Sequence, residues 1–263
     1  MRPVWTIFKK ELWQFFAAPV SYVIFAVFLA ISGFLFYNIA SYFAMQCMQA
    51  IQYQSAYNTP LPAMSVNQWV VRPFFHNLAT MAIFLIPIIT MKAYAAERAF
   101  GTAELLMTAK IRTIHIVIAK LASGLVLYIT LMGSKLLFQI ILHYFTKSGL
   151  DWGPVWIGYM GILMMGIATL PMGQFISSLT KNQVIAAFLS FSFILILWIV
   201  DWSTLFAKGI FSKIIGYIGL SSHFANFAKG IIDTSDIIYF ISFSLLCVFL
   251  THQSVQSWRW RGS

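Results

Sequence analysis

The chain has 263 residues, 60% hydrophobic and 9% charged, which leaves too little polar surface to solvate a folded domain of that size. Its 25 Phe, 11 Tyr and 9 Trp exclude disorder as well, since such side chains must be buried somewhere. The 17 Lys and Arg against 7 Asp and Glu give a net charge of +10, but these cations are strung between long apolar runs rather than gathered on one face; nucleic acid is therefore not an expected partner, and membrane lipid is.

At the start, Val4, Trp5, Phe8, Leu12, Phe15 and Phe16 recur at helical spacing, with Arg2, Lys9, Lys10, Glu11 and Gln14 on much of the other face. This predicts an amphipathic helix over 1–19 lying in the membrane interface, turned into the bilayer at Pro19. Six apolar runs long enough for about 30 Å of hydrocarbon follow: Val20 to Tyr42, Phe74 to Met91, Ile114 to Phe145, Val155 to Ser177, Val184 to Val200 and Ile237 to Thr251. They are continuously apolar, which predicts helices rather than barrel strands, in a single transmembrane domain spanning 1–263. The first run is too long for a signal-peptide core and no small-x-small cleavage pattern closes it, so it reads as retained.

Between the runs, Met45 to Pro73 reads as an outer loop rich in Gln, Asn, Tyr and Pro, long enough to meet an accessory outer-side protein and without metal-ligand spacing. The third run exceeds what a bilayer needs and should tilt or project. It holds Lys135, an ammonium that either snorkels, sits at a dimer interface or lines a cargo path. In the fourth run Gly158, Gly161, Gly166 and Gly173 predict close helix packing, with a hinge near Pro171 as the alternative. The 204–233 segment is too polar and Gly-interrupted to span; it suits two short helices dipping into the outer leaflet, with Asp233 or Asp236 capping the last span. Cys47 and Cys247 belong at different depths, so no disulfide is expected. Placing the N-terminus inside leaves Arg2, Lys9, Lys10, Lys92, Arg98, Lys110, Arg112, Lys120, Lys181, Arg259 and Arg261 cytoplasmic. Only Arg72, Lys147, Lys208, Lys213 and Lys229 then fall outside, and this bias puts both termini inside.

The inner loop, 92–113, runs from Lys92 to Arg112. In it Thr102, Glu104, Leu105 and Leu106 suit a short helix start, and Glu97 with Arg98 brings both signs to the bilayer surface. By itself it reads as a solvated loop. The pattern Glu97-Arg98-x-x-Gly101-Thr102-x-Glu104-Leu105-Leu106-x-Thr108, after a second span and before a long third one, resembles the signature of type-2 ATP-binding cassette export permeases. The elbow, six spans and hairpin extend that resemblance over nearly the whole chain. The stretch His223-Phe224-x-x-Phe227-x-x-Gly230-Ile-Ile-Asp233-x-x-Asp236-x-x-Tyr239-Phe240 is similar to the gliding-motility-type permeases.

The resemblance implies an all-α membrane protein of the bacterial inner membrane. It would have six transmembrane helices, an N-terminal amphipathic elbow helix, a cytoplasmic coupling helix and an outer re-entrant hairpin before the last span. It also implies a homo- or heterodimer with a second permease subunit, and a cytoplasmic ATPase subunit docked on Glu97, Arg98, Gly101, Thr102, Glu104, Leu105 and Leu106. In that mapping Glu97 and Glu104 offer carboxylates to the ATPase, and Leu105 with Leu106 an apolar ridge.

No G-x-x-x-x-G-K-[ST] occurs, so the chain is expected to be no enzyme, to carry no cofactor and to draw its energy from a separate ATPase. Apolar and aromatic pathway residues favour amphiphilic cargo. An ATPase-driven scaffold for assembly or motility, moving no cargo, would show the same loop. A membrane cytochrome is the remote rival, from His76 and His143 near one face and His115 and His252 near the other.

Overall fold

All six apolar runs are helical in the computed structural model, which describes residues 2–57, 64–108, 111–146, 149–201 and 216–258 and has no strand among them. The first helix, α1 (Arg2–Ala17), breaks at Ala18. Pro19 then opens α2 (Pro19–Tyr57), where its missing N–H costs nothing because the first turn has no acceptor for it.

The 39 residues of α2 make it about 58 Å long, nearly twice the hydrocarbon thickness. This corrects the expected 45–73 loop: the segment stays helical to Tyr57, with 58–63 outside the described residues, and from Asn67 a π-helical turn (Asn67–Val71) feeds α3 (Arg72–Thr90). Residues 43–57 are rich in Gln, Met and Ala and hold neither Gly nor Pro; polarity alone does not end a helix.

Two short helices follow α3: α4 (Ala95–Ala99) and α5 (Thr102–Thr108). The long third run divides into α6 (Thr113–Gly133) and α7 (Leu136–Phe145), separated at Ser134 and Lys135. After it come α8 (Trp152–Leu179), α9 (Gln183–Ile199), α10 (Leu220–Ala228) and α11 (Thr234–Ser257). Five stretches are long and apolar enough to cross a membrane: Pro19–Tyr57, Asn67–Ala99, Thr113–Phe145, Trp152–Leu179 and Thr234–Ser257. The sixth expected span, α9, has 17 residues and reaches about 25 Å. Of the segment expected to form an outer hairpin, 202–215 lies outside the described residues, and Leu220–Ala228 is helical.

The centre of the bundle is α8, which α3, α6, α9, α10 and α11 all contact. Its glycines make this possible. A Cβ at Gly158 would lie 2.5 Å from the Phe75 ring; at Gly161 it would strike Phe227, at Gly166 Tyr128 and at Gly173 Thr90. Each glycine thus receives a side chain from α3, α6 or α10. In lipid there is no hydrophobic drive between helices, so this close van der Waals fit has to hold them together. The Tyr128 hydroxyl adds a bond to the Ile162 carbonyl at 3.0 Å in the same contact. Only four residues of α2 are buried, Ser21, Phe28, Ser32 and Phe36, and the Phe36 ring meets Phe74 and Phe138 at 5.3 Å each.

Candidate functional site

The segment resembling a coupling loop is built onto one end of the bundle. After α3 the chain turns through Met91–Tyr94, and α4 begins with no capping side chain of its own. Ser177 of α8 supplies the cap. Its Oγ accepts from the Tyr94 and Ala95 amides at 3.2 and 3.1 Å and donates to the Met91 carbonyl at 3.0 Å. Beyond α4, Gly101 takes the left-handed conformation, φ 70°, that lets α5 start in a new direction.

Beneath this turn lies an ion cluster. Lys120 of α6, 2% exposed, directs its ammonium at the Glu11 carboxylate (2.8 Å), the Glu97 carboxylate (2.9 Å) and the Ala93 carbonyl (2.7 Å). Three acceptors match its three donor hydrogens. Lys10 stands 3.5 Å from the same Glu97 oxygen, so two cations balance two carboxylates. The Tyr94 ring packs 5.2 Å from the ammonium, and an apolar cluster of Ile7, Tyr94, Ile116, Ala119 and Val255 surrounds it. Helices α1, α6 and α11 therefore converge on the turn that carries α4.

Seen in this geometry, the seven nominated residues divide. Glu97, expected to offer its carboxylate to an ATPase, is turned toward Lys120, which lies inside an apolar run. Arg98 donates to the Ser178 carbonyl at 3.0 Å and lies over the Trp258 ring at 5.2 Å. The Thr102 hydroxyl donates to the Glu97 carbonyl at 3.3 Å. Leu106 packs on the apolar cluster, while the side chain of Leu105 is outside the described residues. Glu104 is exposed, as are Gly101 and Thr102. Phe100, 76% exposed, is an outward aromatic that the motif passes over as an unspecified position. Glu11, Lys120, Ser177 and Trp258 were also missed. The one available signal was Lys120, a cation one turn beyond Ile116 in an otherwise apolar stretch.

Lys135 sits at the break between α6 and α7, 1% exposed, and donates to the Leu131 carbonyl at 2.6 Å and the Ser134 hydroxyl at 3.3 Å. Its ammonium thus serves a carbonyl released by the break.

A second polar unit joins α10 to α11. His223 Nδ1 lies 2.6 Å from Asp236 Oδ1, Asn226 donates to the other Asp236 oxygen at 2.9 Å, and the Tyr239 ring stacks on the imidazole at 4.0 Å. Asp236 is therefore not a cap. Asp233 is: it accepts from the Ser235 amide at 2.9 Å, a bond that holds its carboxyl below the ordinary carboxylate range. Among the described residues no three His, Cys, Asp or Glu gather as a metal site. No protein-family model matches the chain, and no curated protein matches it.

Proposed function

We propose that this chain is the permease subunit of an ATP-binding cassette exporter, working as a homo- or heterodimer with an ATPase borne on a separate polypeptide. In this reading α9 is a short sixth span, α1 an interfacial elbow and the 204–233 segment a re-entrant hairpin. Both termini face the cytoplasm of a bacterial inner membrane, and the cargo is amphiphilic.

The observation that carries the reading is the Lys120 cluster. A loop that only connected two spans would need no such anchorage. Here Glu97 is tied to α6 and α1, Ser177 ties the same turn to α8, and Arg98 reaches the end of α11. A displacement applied at α5 would reach four helices through charge-assisted contacts rather than dissipate in a loose loop. The contact with the ATPase then falls to the outward residues Phe100, Thr102 and Glu104, an aromatic anchor beside a carboxylate.

The test is affinity purification of the tagged full-length chain from its own membranes. Co-purification of a P-loop ATPase is expected, and Phe100→Ser with Glu104→Lys should cut its recovery about tenfold, the loss of about 1.4 kcal/mol of contact. Equal recovery with the double variant, or no ATPase at all, would overturn the proposal.

A further inference from the structure

At the end of the bundle opposite the Lys120 cluster, a cleft of about 460 Å³ opens between the π-helical turn, the start of α8 and the end of α10. Two contacts tie its walls together. The Asn67 side chain donates to the Asp151 carbonyl at 3.0 Å, and Gly230, with φ 81°, brings the chain so close to Pro154 that a Cβ would lie 3.0 Å from it.

The charges around the cleft do not balance. Arg72 and Lys229 both line it and both are exposed, and among the described residues neither forms an ion pair. The one acid present, Asp151, has Oδ1 engaged as the cap of α8 by the Gly153 amide at 3.1 Å. Asn67 and Gln68 add side-chain amide groups to the lining.

Depth is marked by tryptophan. Trp69 is 40% exposed and Trp156 58%, and Trp152 packs 6.4 Å from Trp156; amphipathic indoles of this kind gather where hydrocarbon meets headgroups. Just past Lys229 in the chain, Ile231 and Ile232 stand about half exposed.

We propose that this cleft binds a phosphate-type anion, with Arg72 and Lys229 as its cationic ligands, and that the anion is the phosphodiester of an anionic phospholipid whose acyl chain lies on Ile231 and Ile232. Arg72 offers a planar fork for two phosphate oxygens, and Lys229 a point charge. A free phosphate shares the headgroup chemistry but gains nothing from the isoleucines. The site is independent of the coupling reading, because it lies at the far end of α3 and uses none of the same residues.

The experiment uses the full-length protein, delipidated in detergent and followed by native mass spectrometry on adding dioleoyl phosphatidylglycerol, dioleoyl phosphatidylcholine or inorganic phosphate. Phosphatidylglycerol should be retained about tenfold better than phosphatidylcholine, and less so as salt is raised. Arg72→Gln with Lys229→Gln should reduce its retention about tenfold, whereas Lys181→Gln with Arg112→Gln should not. Both pairs are exposed, so loss of fold does not confuse the comparison. Inorganic phosphate binding that depends on Arg72 and Lys229, without phosphatidylglycerol retention, would keep the anion site and replace its source. Equal retention by the Arg72 and Lys229 double variant, or of the two lipids by the native protein, would overturn it.

Discussion

The Lys120 ammonium stands 2.9 Å from the Glu97 carboxylate and 2.8 Å from Glu11, holding in one contact two acids that are far apart in the chain. Lys120→Met would leave those carboxylates facing each other beside the single, half-exposed Lys10. Removing one partner of a buried pair costs about 3–5 kcal/mol, and the 18% and 12% exposure of the two acids reduces that to about 2–3 kcal/mol. Thermal unfolding in detergent should show a clear fall in Tm. Glu97→Gln should fall less, since its amide oxygen can still accept from Lys120; the reverse order would remove Lys120 from its central place.

Ser177→Ala takes away the hydroxyl oxygen that accepts from the buried Tyr94 and Ala95 amides. An unsatisfied buried donor costs about 1–3 kcal/mol. Deuterium uptake across residues 91–99 is expected to rise while the middle of α8 stays protected. In the complex proposed above, the same variant should leave hydrolysis by the separate ATPase intact and abolish transport. Unchanged uptake would mean that the serine is not the anchor.

Gly166→Ala forces a methyl group into Tyr128 and should destabilise the bundle by about 1–3 kcal/mol. Gly133→Ala meets nothing within 4 Å on an exposed helical surface and should stabilise by about 0.4–1 kcal/mol. Two identical chemical changes with opposite signs, read by unfolding in detergent, separate packing from helix propensity.

Asp236→Ala removes the shared acceptor of His223 and Asn226 at a position 2% exposed, and a loss of about 3 kcal/mol is expected. Protease sensitivity should appear first in α10, which depends on that carboxylate to hold it against α11. Asp236→Asn, retaining one oxygen of the same shape, should be milder.

The Asp233 carboxyl is depressed in the folded chain by the Ser235 amide. A folded value below the unfolded value, ordinarily about 3.9, means that the carboxylate's contribution is complete above that range and is lost as pH falls through the folded value. The difference between native protein and Asp233→Ala in amide protection at the start of α11 should therefore be present near neutral pH and disappear in acid. Asp233→Asn, which accepts without titrating, should show no such pH dependence; a difference that persisted in acid would rule the cap out.

Composition and hydropathy determined the membrane class, the helices and nearly all their centres, because a continuous apolar run in lipid has no other way to satisfy its backbone. The glycines of α8 were legible as a packing surface for the same reason: small residues at helical spacing have little other use in a span. What each glycine receives was decided only by the fold, since Phe75, Phe227, Tyr128 and Thr90 come from three other helices. The length of α2 was misread because Gln-rich sequence looks like a loop while remaining good helix. The direction of Glu97 was beyond any local pattern. A carboxylate in a short surface helix turns outward unless a cation is brought beneath it, and that cation, Lys120, is supplied by the next long helix. Sequence periodicity fixes which face of an element is apolar, but which charges meet depends on how separate helices cross, and that is settled only when their surfaces pack.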